Sequence, residues 1–154
     1  MLTEEEYKEI IAHLARVEQK ESASVEALRI VQRHRGWISD ESIHDVAVVL
    51  GMTPAELDAV ATFYNFIYRR PVGRHIVQTC DSMVCWTMGY NHLHGMLSGK
   101  LGIGPGGTTP DNRFTLLPVA CLGACDRAPA MLVDDDLYGP VTPEMLDGIL
   151  EKYI

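Results

Sequence analysis

The chain has 154 residues, 47% of them hydrophobic, and a net charge of −8 at pH 7. A chain of this length forms one domain or two small ones and can bury a hydrophobic core without disulfide bonds. The acidic balance argues against a nucleic-acid-binding surface, because neutralising phosphates needs clustered Lys and Arg. No apolar run approaches the length of a membrane span, and the acidic N-terminus lacks a signal-peptide pattern, so we expect no secretion.

Four helices separated by short turns are predicted in residues 3–70. Apolar residues recur in each at helical spacing, which indicates a bundle with a shared core. The strongest start signal is Thr53-Pro54-Ala55-Glu56, because it combines a capping Thr, a Pro at the first helical position and a Glu that completes a capping box. The other helices are predicted to begin at Thr3, near Ser22–Ser24 and at Ser39, with Gly36 and Gly51 as C-terminal stops.

Aromatic residues follow the fourth predicted helix at Phe63, Tyr64 and Phe66. Such side chains carry a large apolar area, which is most often buried in a core or between domains. We therefore expect these three to pack inside the protein, with contact to a partner as the second possibility.

Pro71-Val72-Gly73 interrupts the helical pattern, and we place a domain boundary there, between residues 1–71 and 72–154. The second domain is predicted to contain strands at 74–79, 113–119 and 130–133 and helices at 87–98 and from 142 onward. Pro118 is expected at an edge or an end of its strand. Together, the order β-α-β-β-α and the preceding helices predict an α+β fold with helices packed on a small sheet.

The segment Gly102–Gly107 matches the pattern G-x-G-x-x-G. A dinucleotide site needs this pattern after a strand and at the start of a helix, whereas here it follows a predicted helix and contains Pro105. We predict a connecting loop. The six histidines are expected on the surface or in packing, and no catalytic residue is predicted on this chain.

All four cysteines fall in two short motifs, C-x4-C at Cys80 and Cys85 and C-x3-C at Cys121 and Cys125. Four thiolates suit a tetrahedral zinc site or a [2Fe–2S] cluster, in which each iron takes two thiolates beside the bridging sulfides. We predict one iron on each pair, with Gly123 letting backbone N–H groups approach a sulfur. A zinc-stabilised interaction module is the alternative from another class of protein.

The residues around the cysteines resemble the thioredoxin-like [2Fe–2S] ferredoxin family, and within it the E subunits (24 kDa-type subunits) of NADH–quinone oxidoreductase, respiratory complex I. The resemblance extends from about Ser22 to the C-terminus, and all four ligand positions match. The segments that carry it are V-A-T-F-Y (60–64), P-V-G-R-H (71–75), C-D-S-M-V-C (80–85), R-F-T-L-L-P (113–118) and C-L-G-A-C-D-R-A-P (121–129).

This resemblance implies an N-terminal helical bundle followed by a thioredoxin-like [2Fe–2S] domain. It implies an electron-transfer subunit whose single cluster exchanges single electrons with the FMN of a partner flavin subunit. That partner also binds NADH, and through it this chain is connected to the other iron–sulfur subunits. The expected location is the peripheral arm on the cytoplasmic side of the bacterial inner membrane, without membrane insertion. Related chains are subunits of NAD-dependent formate dehydrogenases and multimeric hydrogenases, so the resemblance alone does not identify the host complex.

Overall fold

The computed structural model describes residues 1–154. The chain divides into two compact units, Met1–Pro71 and Val72–Ile154. Each unit has its own hydrophobic core, formed by helices alone in the first and by helices and a sheet in the second.

The first unit contains the four predicted helices. They are α1 (Glu4–Leu14), α2 (Ser24–Arg35), α3 (Asp40–Leu50) and α4 (Pro54–Phe63), with a short 3₁₀ turn at Lys20–Ala23. Capping boxes form at Thr3 and Thr53, whose side chains accept hydrogen bonds from the N–H groups three residues later. Gly51 ends α3 at φ +72°, a left-handed conformation that favours glycine.

An ion pair between a buried carboxylate and a partly exposed arginine links three helices of this bundle. Glu6 is completely buried, and its carboxylate accepts hydrogen bonds of 2.6 and 2.7 Å from Nε and Nη2 of Arg35. Arg35 Nη1 also donates to Ser42 Oγ at 3.0 Å. The pair therefore connects α1 and α2 to α3 through a fully hydrogen-bonded polar contact, the form in which buried charges are tolerated.

The prediction that the aromatic residues pack inside the protein is wrong. Phe63 is 78% exposed, and Tyr64 and Phe66 are exposed as well. The buried face of α4 is formed by Leu57 and Ala61. Phe63 lies six positions after Leu57, about 240° around the helix, and so points away from that face.

The second unit is built on a four-stranded sheet. Its strands are β1 (His75–Cys80), β2 (Phe114–Val119), β3 (Met131–Val133) and β4 (Asp136–Tyr138), in the spatial order β2-β1-β3-β4. β1 runs parallel to β2 and antiparallel to β3, and β3 pairs antiparallel with β4. Pro118 lies in β2, an edge strand, as predicted.

Three helices complete this unit: α5 (Met83–Thr87), α6 (Tyr90–Leu101) and α7 (Met145–Leu150). α6 and α7 pack with one face of the sheet in a single core cluster. The helix predicted at 87–98 is α6, displaced by three residues toward the C-terminus, and α5 and β4 were not predicted. Five residues are too few for a helical period to be read, and three are too few for strand alternation.

The GxGxxG segment is a connector, as predicted. Gly102 ends α6 at φ +67°, and the following residues turn toward β2. The backbone of this loop pairs with Leu116 through Gly106 N–H (2.7 Å) and Gly107 C=O (3.0 Å).

No single helix of the chain has both the length and the apolar character needed to cross a membrane; α3 and α4 meet that test only as a pair, which is bent by 114°.

Candidate metal centre

The four cysteines lie in and after the first two strands of the sheet. Cys80 is the last residue of β1, and Cys85 lies in α5. Cys121 follows the end of β2 by two residues, and Cys125 opens a 3₁₀ turn. All four are free thiols, of which Cys80 and Cys85 are buried and the other two are exposed.

The parallel pairing of β1 and β2 explains why the two motifs meet. Cys80 stands opposite Val119 in the register, so both strands end at the same edge of the sheet. The loops that follow them are in contact there, since the N–H of Leu122 donates to Cys80 Sγ at 3.5 Å. Two motifs that are well separated in the chain are thereby brought together.

Cys85 is the most enclosed of the four thiols. It lies with Cys80 in a small buried cluster whose other members are Tyr90, Ala124, Ala128 and Ala130. Burial raises the pKa of the Cys85 thiol, and its neighbours Cys80 and Cys125 raise it further, while a backbone hydrogen bond from Ala130 acts in the opposite direction. Metal binding at this thiol requires loss of its proton, because only the thiolate is a ligand.

The loop of residues 121–125 directs backbone donors at sulfur. Gly123 N–H lies 3.2 Å from Cys121 Sγ, and Gly123 has φ +73°, in the left-handed region. A residue with a side chain is strained in this conformation. The glycine thus provides the turn that the sequence predicted, with N–H groups facing the sulfurs of both motifs.

This arrangement fits an iron–sulfur cluster in its donor set. Four thiols from two adjoining loops, small alanine side chains and backbone N–H groups aimed at sulfur are the features that hold and tune such clusters. In the structure, no group of three or more His, Cys, Asp or Glu is arranged to hold one metal ion. The assignment of each cysteine pair to one iron stays a prediction.

A polar network that the sequence did not predict lies beside the cysteines. The ring of His94 stacks on Tyr90 with 5.4 Å between centroids, and His94 Nδ1 is 3.3 Å from the hydroxyl of Thr79. Tyr90 is buried, with 8% of its surface exposed. The contact between its helix and the strand residue next to Cys80 has no local signal in the sequence.

Large exposed apolar side chains flank Cys85 in the sequence. Around Cys85, the exposed residues of this kind on α5 and just after it are Met83, Val84, Trp86 and Met88. We call these four residues the α5 apolar surface. Contiguous exposed apolar residues of this kind mark sites of contact with other molecules.

Comparison with known proteins gives matches over nearly the whole chain. A family model described as thioredoxin-like [2Fe–2S] ferredoxin matches residues 7–154. The chain is 48% identical over 154 residues to the E subunit of NADH-quinone oxidoreductase from Pseudomonas aeruginosa, covering all of this chain and 93% of that protein. The corresponding protein of Escherichia coli K12 is also 48% identical, over 95% of this chain and 89% of its own length.

Among solved structures, the fold is similar to a chain of an NAD⁺-reducing [NiFe]-hydrogenase in its air-oxidized state. The TM-score is 0.71 with 26% sequence identity over 85% of this chain. The match covers 22% of the hydrogenase chain, so the present chain corresponds to one part of a longer protein there.

Proposed function

The chain belongs to the thioredoxin-like [2Fe–2S] ferredoxin family, and from that membership we propose that it is an electron-transfer subunit of NADH:quinone oxidoreductase. Its one [2Fe–2S] cluster is held by Cys80, Cys85, Cys121 and Cys125. The observation that carries the proposal is the meeting of both cysteine pairs at one edge of the sheet, in a chain 48% identical over its full length to a bacterial subunit of that enzyme.

When bound, a [2Fe–2S] cluster takes up and releases one electron. The chain supplies the four sulfur ligands, and the N–H groups of Leu122 and Gly123 stabilise negative charge on Cys80 and Cys121. The alanines around Cys80 and Cys85 keep that side of the centre apolar. The exposed Cys121 and Cys125 place the other side at the surface, where electrons enter and leave.

The electron donor is the FMN of a partner flavin subunit, which also binds NADH. Docking of a partner at this position is supported by the exposure of Cys121 and Cys125 and by the α5 apolar surface beside Cys85. A partner that covers these side chains brings its own redox group close to the cluster. The activity then belongs to the assembly, and this chain contributes a relay rather than a substrate site.

The host complex is the NADH:quinone oxidoreductase, in its peripheral arm on the cytoplasmic side of the membrane. An NAD⁺-reducing hydrogenase is the second candidate, favoured by the structural match at 26% identity. Identity of 48% over whole chains supports the first host more strongly. Partners that co-purify with the native chain separate the two, because a nickel-containing partner identifies a hydrogenase.

Anaerobic purification followed by iron and acid-labile sulfide analysis tests the centre itself. We expect both elements in equal amounts, a coloured protein and an EPR signal after dithionite reduction. Zinc without sulfide, in cells supplied with iron, would overturn the proposal and leave the zinc-stabilised interaction module.

A further inference from the structure

The side chain of Gln78 is buried without a partner in the middle of the sheet. It lies in β1, two residues before Cys80, and is only 1% exposed. Neither Nε2 nor Oε1 has a hydrogen-bond partner. A buried polar group without a partner destabilises the fold, so the amide at this position requires a physical explanation.

Gln78 and Cys80 lie on the same face of the sheet. Successive residues of a strand point to opposite faces. Val77 belongs to the core cluster that contains α6, and the hydroxyl of Thr79 contacts His94 of the same helix. Gln78 therefore lies on the face opposite α6, the face it shares with Cys80.

Three of the four nearest neighbours of Gln78 within the sheet, on that face, are aliphatic. Directly across from it stand Leu117 of β2 and Leu132 of β3. Along β1, the adjacent residues on the same face are Ile76 and Cys80. Of these four side chains, only Cys80 has an atom that accepts a hydrogen bond.

We propose that the Gln78 amide donates a hydrogen bond to the Cys80 sulfur when that sulfur is a thiolate bound to the cluster. The inference rests on the proposed function, because a cluster is what makes this sulfur a charged acceptor. Residues two apart in a strand are separated by about 7 Å, a gap that the flexible side chain of Gln spans. Charged acceptors form shorter and stronger hydrogen bonds than neutral ones.

In this role Gln78 is a positioning residue that acts through Cys80. Leu122 N–H already approaches this sulfur at 3.5 Å, and the amide supplies a second donor. Donors to sulfur stabilise the reduced cluster more than the oxidised one, since reduction adds negative charge. Gln78 thus raises the reduction potential, while in the cluster-free protein it contributes nothing favourable.

The test compares Gln78→Met with Gln32→Met in the full chain. Gln32 is a matched control because both ends of its amide are paired, with Nε2 donating to Phe66 C=O at 2.8 Å and Oε1 accepting from Tyr68 N–H at 2.7 Å. For Gln78→Met we expect a more negative reduction potential in EPR-monitored redox titrations. The melting temperature of the cluster-free protein should be unchanged or higher. For Gln32→Met we expect a lower melting temperature and an unchanged reduction potential.

Iron and sulfide in the unmodified protein are measured first, and their absence refutes the proposed function rather than this inference. With the cluster present, an unchanged potential in Gln78→Met and in a second variant, Gln78→Leu, overturns the role of the amide. A second result also overturns it: the melting temperature of the cluster-free Gln78→Met protein falls as far as that of Gln32→Met. The Gln78 amide would then be paired within the protein. Reduced cluster loading in both Gln78 variants, at unchanged cluster-free melting, supports it.

Discussion

The backbone N–H of Gly123 lies 3.2 Å from the Sγ of Cys121. Gly123 holds φ at +73°, and a Cβ added there meets no atom within 4 Å. Gly123→Ala is therefore strained by its backbone conformation alone, at a cost of about 1–2 kcal/mol. We expect the peptide to rotate and weaken the bond to sulfur, which lowers melting and makes the reduction potential more negative.

Gly102→Ala is the matched control for this variant. Gly102 ends α6 at φ +67°, with equally open space at its Cβ position and no contact to a cysteine. The same loss of stability with an unchanged potential is expected there. Equal potentials in the two variants, measured by redox titration, would show that the Gly123 donor has no influence on the cluster.

Cys121→Ala should remove the cluster without damaging the cluster-free fold. Its side chain is exposed, so little packing is lost, whereas one of the four proposed ligands disappears. We expect most of the iron and sulfide to be lost and the melting temperature to fall to that of the cluster-free protein, because metal binding and folding are coupled.

Cys80→Ala provides the comparison, since the Cys80 side chain is buried in the small hydrophobic core with Tyr90 and the alanines. It should lose iron equally and also lower the melting of the cluster-free form. Full iron content in Cys121→Ala, measured under anaerobic conditions, would remove this residue from the ligand set.

The helical unit was largely predictable because its signals are local. Thr3 and Thr53 are both predicted helix starts, and in the structure each forms a capping box with the Glu three residues later. Gly36 and Gly51 end α2 and α3 as expected. Caps and stops act within one helical turn, so they can be recognised without knowledge of the tertiary structure.

The placement of the cysteines was predictable for a different reason. Each motif follows a predicted strand, and neighbouring parallel strands bring their carboxyl ends to one edge. The side chain of Gln78 could not be interpreted in this way, because its isolation depends on Leu117 and Leu132 from two other strands. The exposure of Phe63 likewise depends on where α4 ends and on which of its faces is buried.

Acid should weaken the helical unit through the Glu6–Arg35 pair. The hydrogen bond from Arg35 holds the pKa of Glu6 below its usual value. A carboxyl with a lowered folded pKa stabilises the fold above its unfolded pKa of about 4.3, and this contribution is lost as the pH falls through the folded value. Stability should therefore drop at pH values below about 4.3.

Glu6→Gln should remove this part of the pH dependence. It leaves Arg35, whose side chain is 27% exposed, without its charged partner, and loss of hydrogen bonds to a charged group costs about 1.5–3 kcal/mol at neutral pH. Glu5→Gln is the control, because Glu5 is exposed in the same helical turn. Urea unfolding followed by helical circular dichroism measures both, and an acid response that stays the same in Glu6→Gln contradicts the assignment.

Trp86→Ala should weaken assembly with the proposed flavin subunit while leaving the chain itself intact. Trp86 is 57% exposed on α5, next to the buried Cys85. Truncating an interface aromatic of this size commonly costs more than 1 kcal/mol of binding free energy, so we expect affinity to fall by roughly tenfold. Binding to the purified partner measures this, with iron content and melting unchanged.

Met145→Ala is the control for an exposed apolar side chain elsewhere in the unit, on α7. It should bind the partner as the unmodified chain does. If both variants bind equally well, the α5 apolar surface is not what the partner covers. If Trp86→Ala alone binds weakly and also slows reduction of the cluster by NADH in the assembled complex, the same surface both holds the partner and sets the path of the electron.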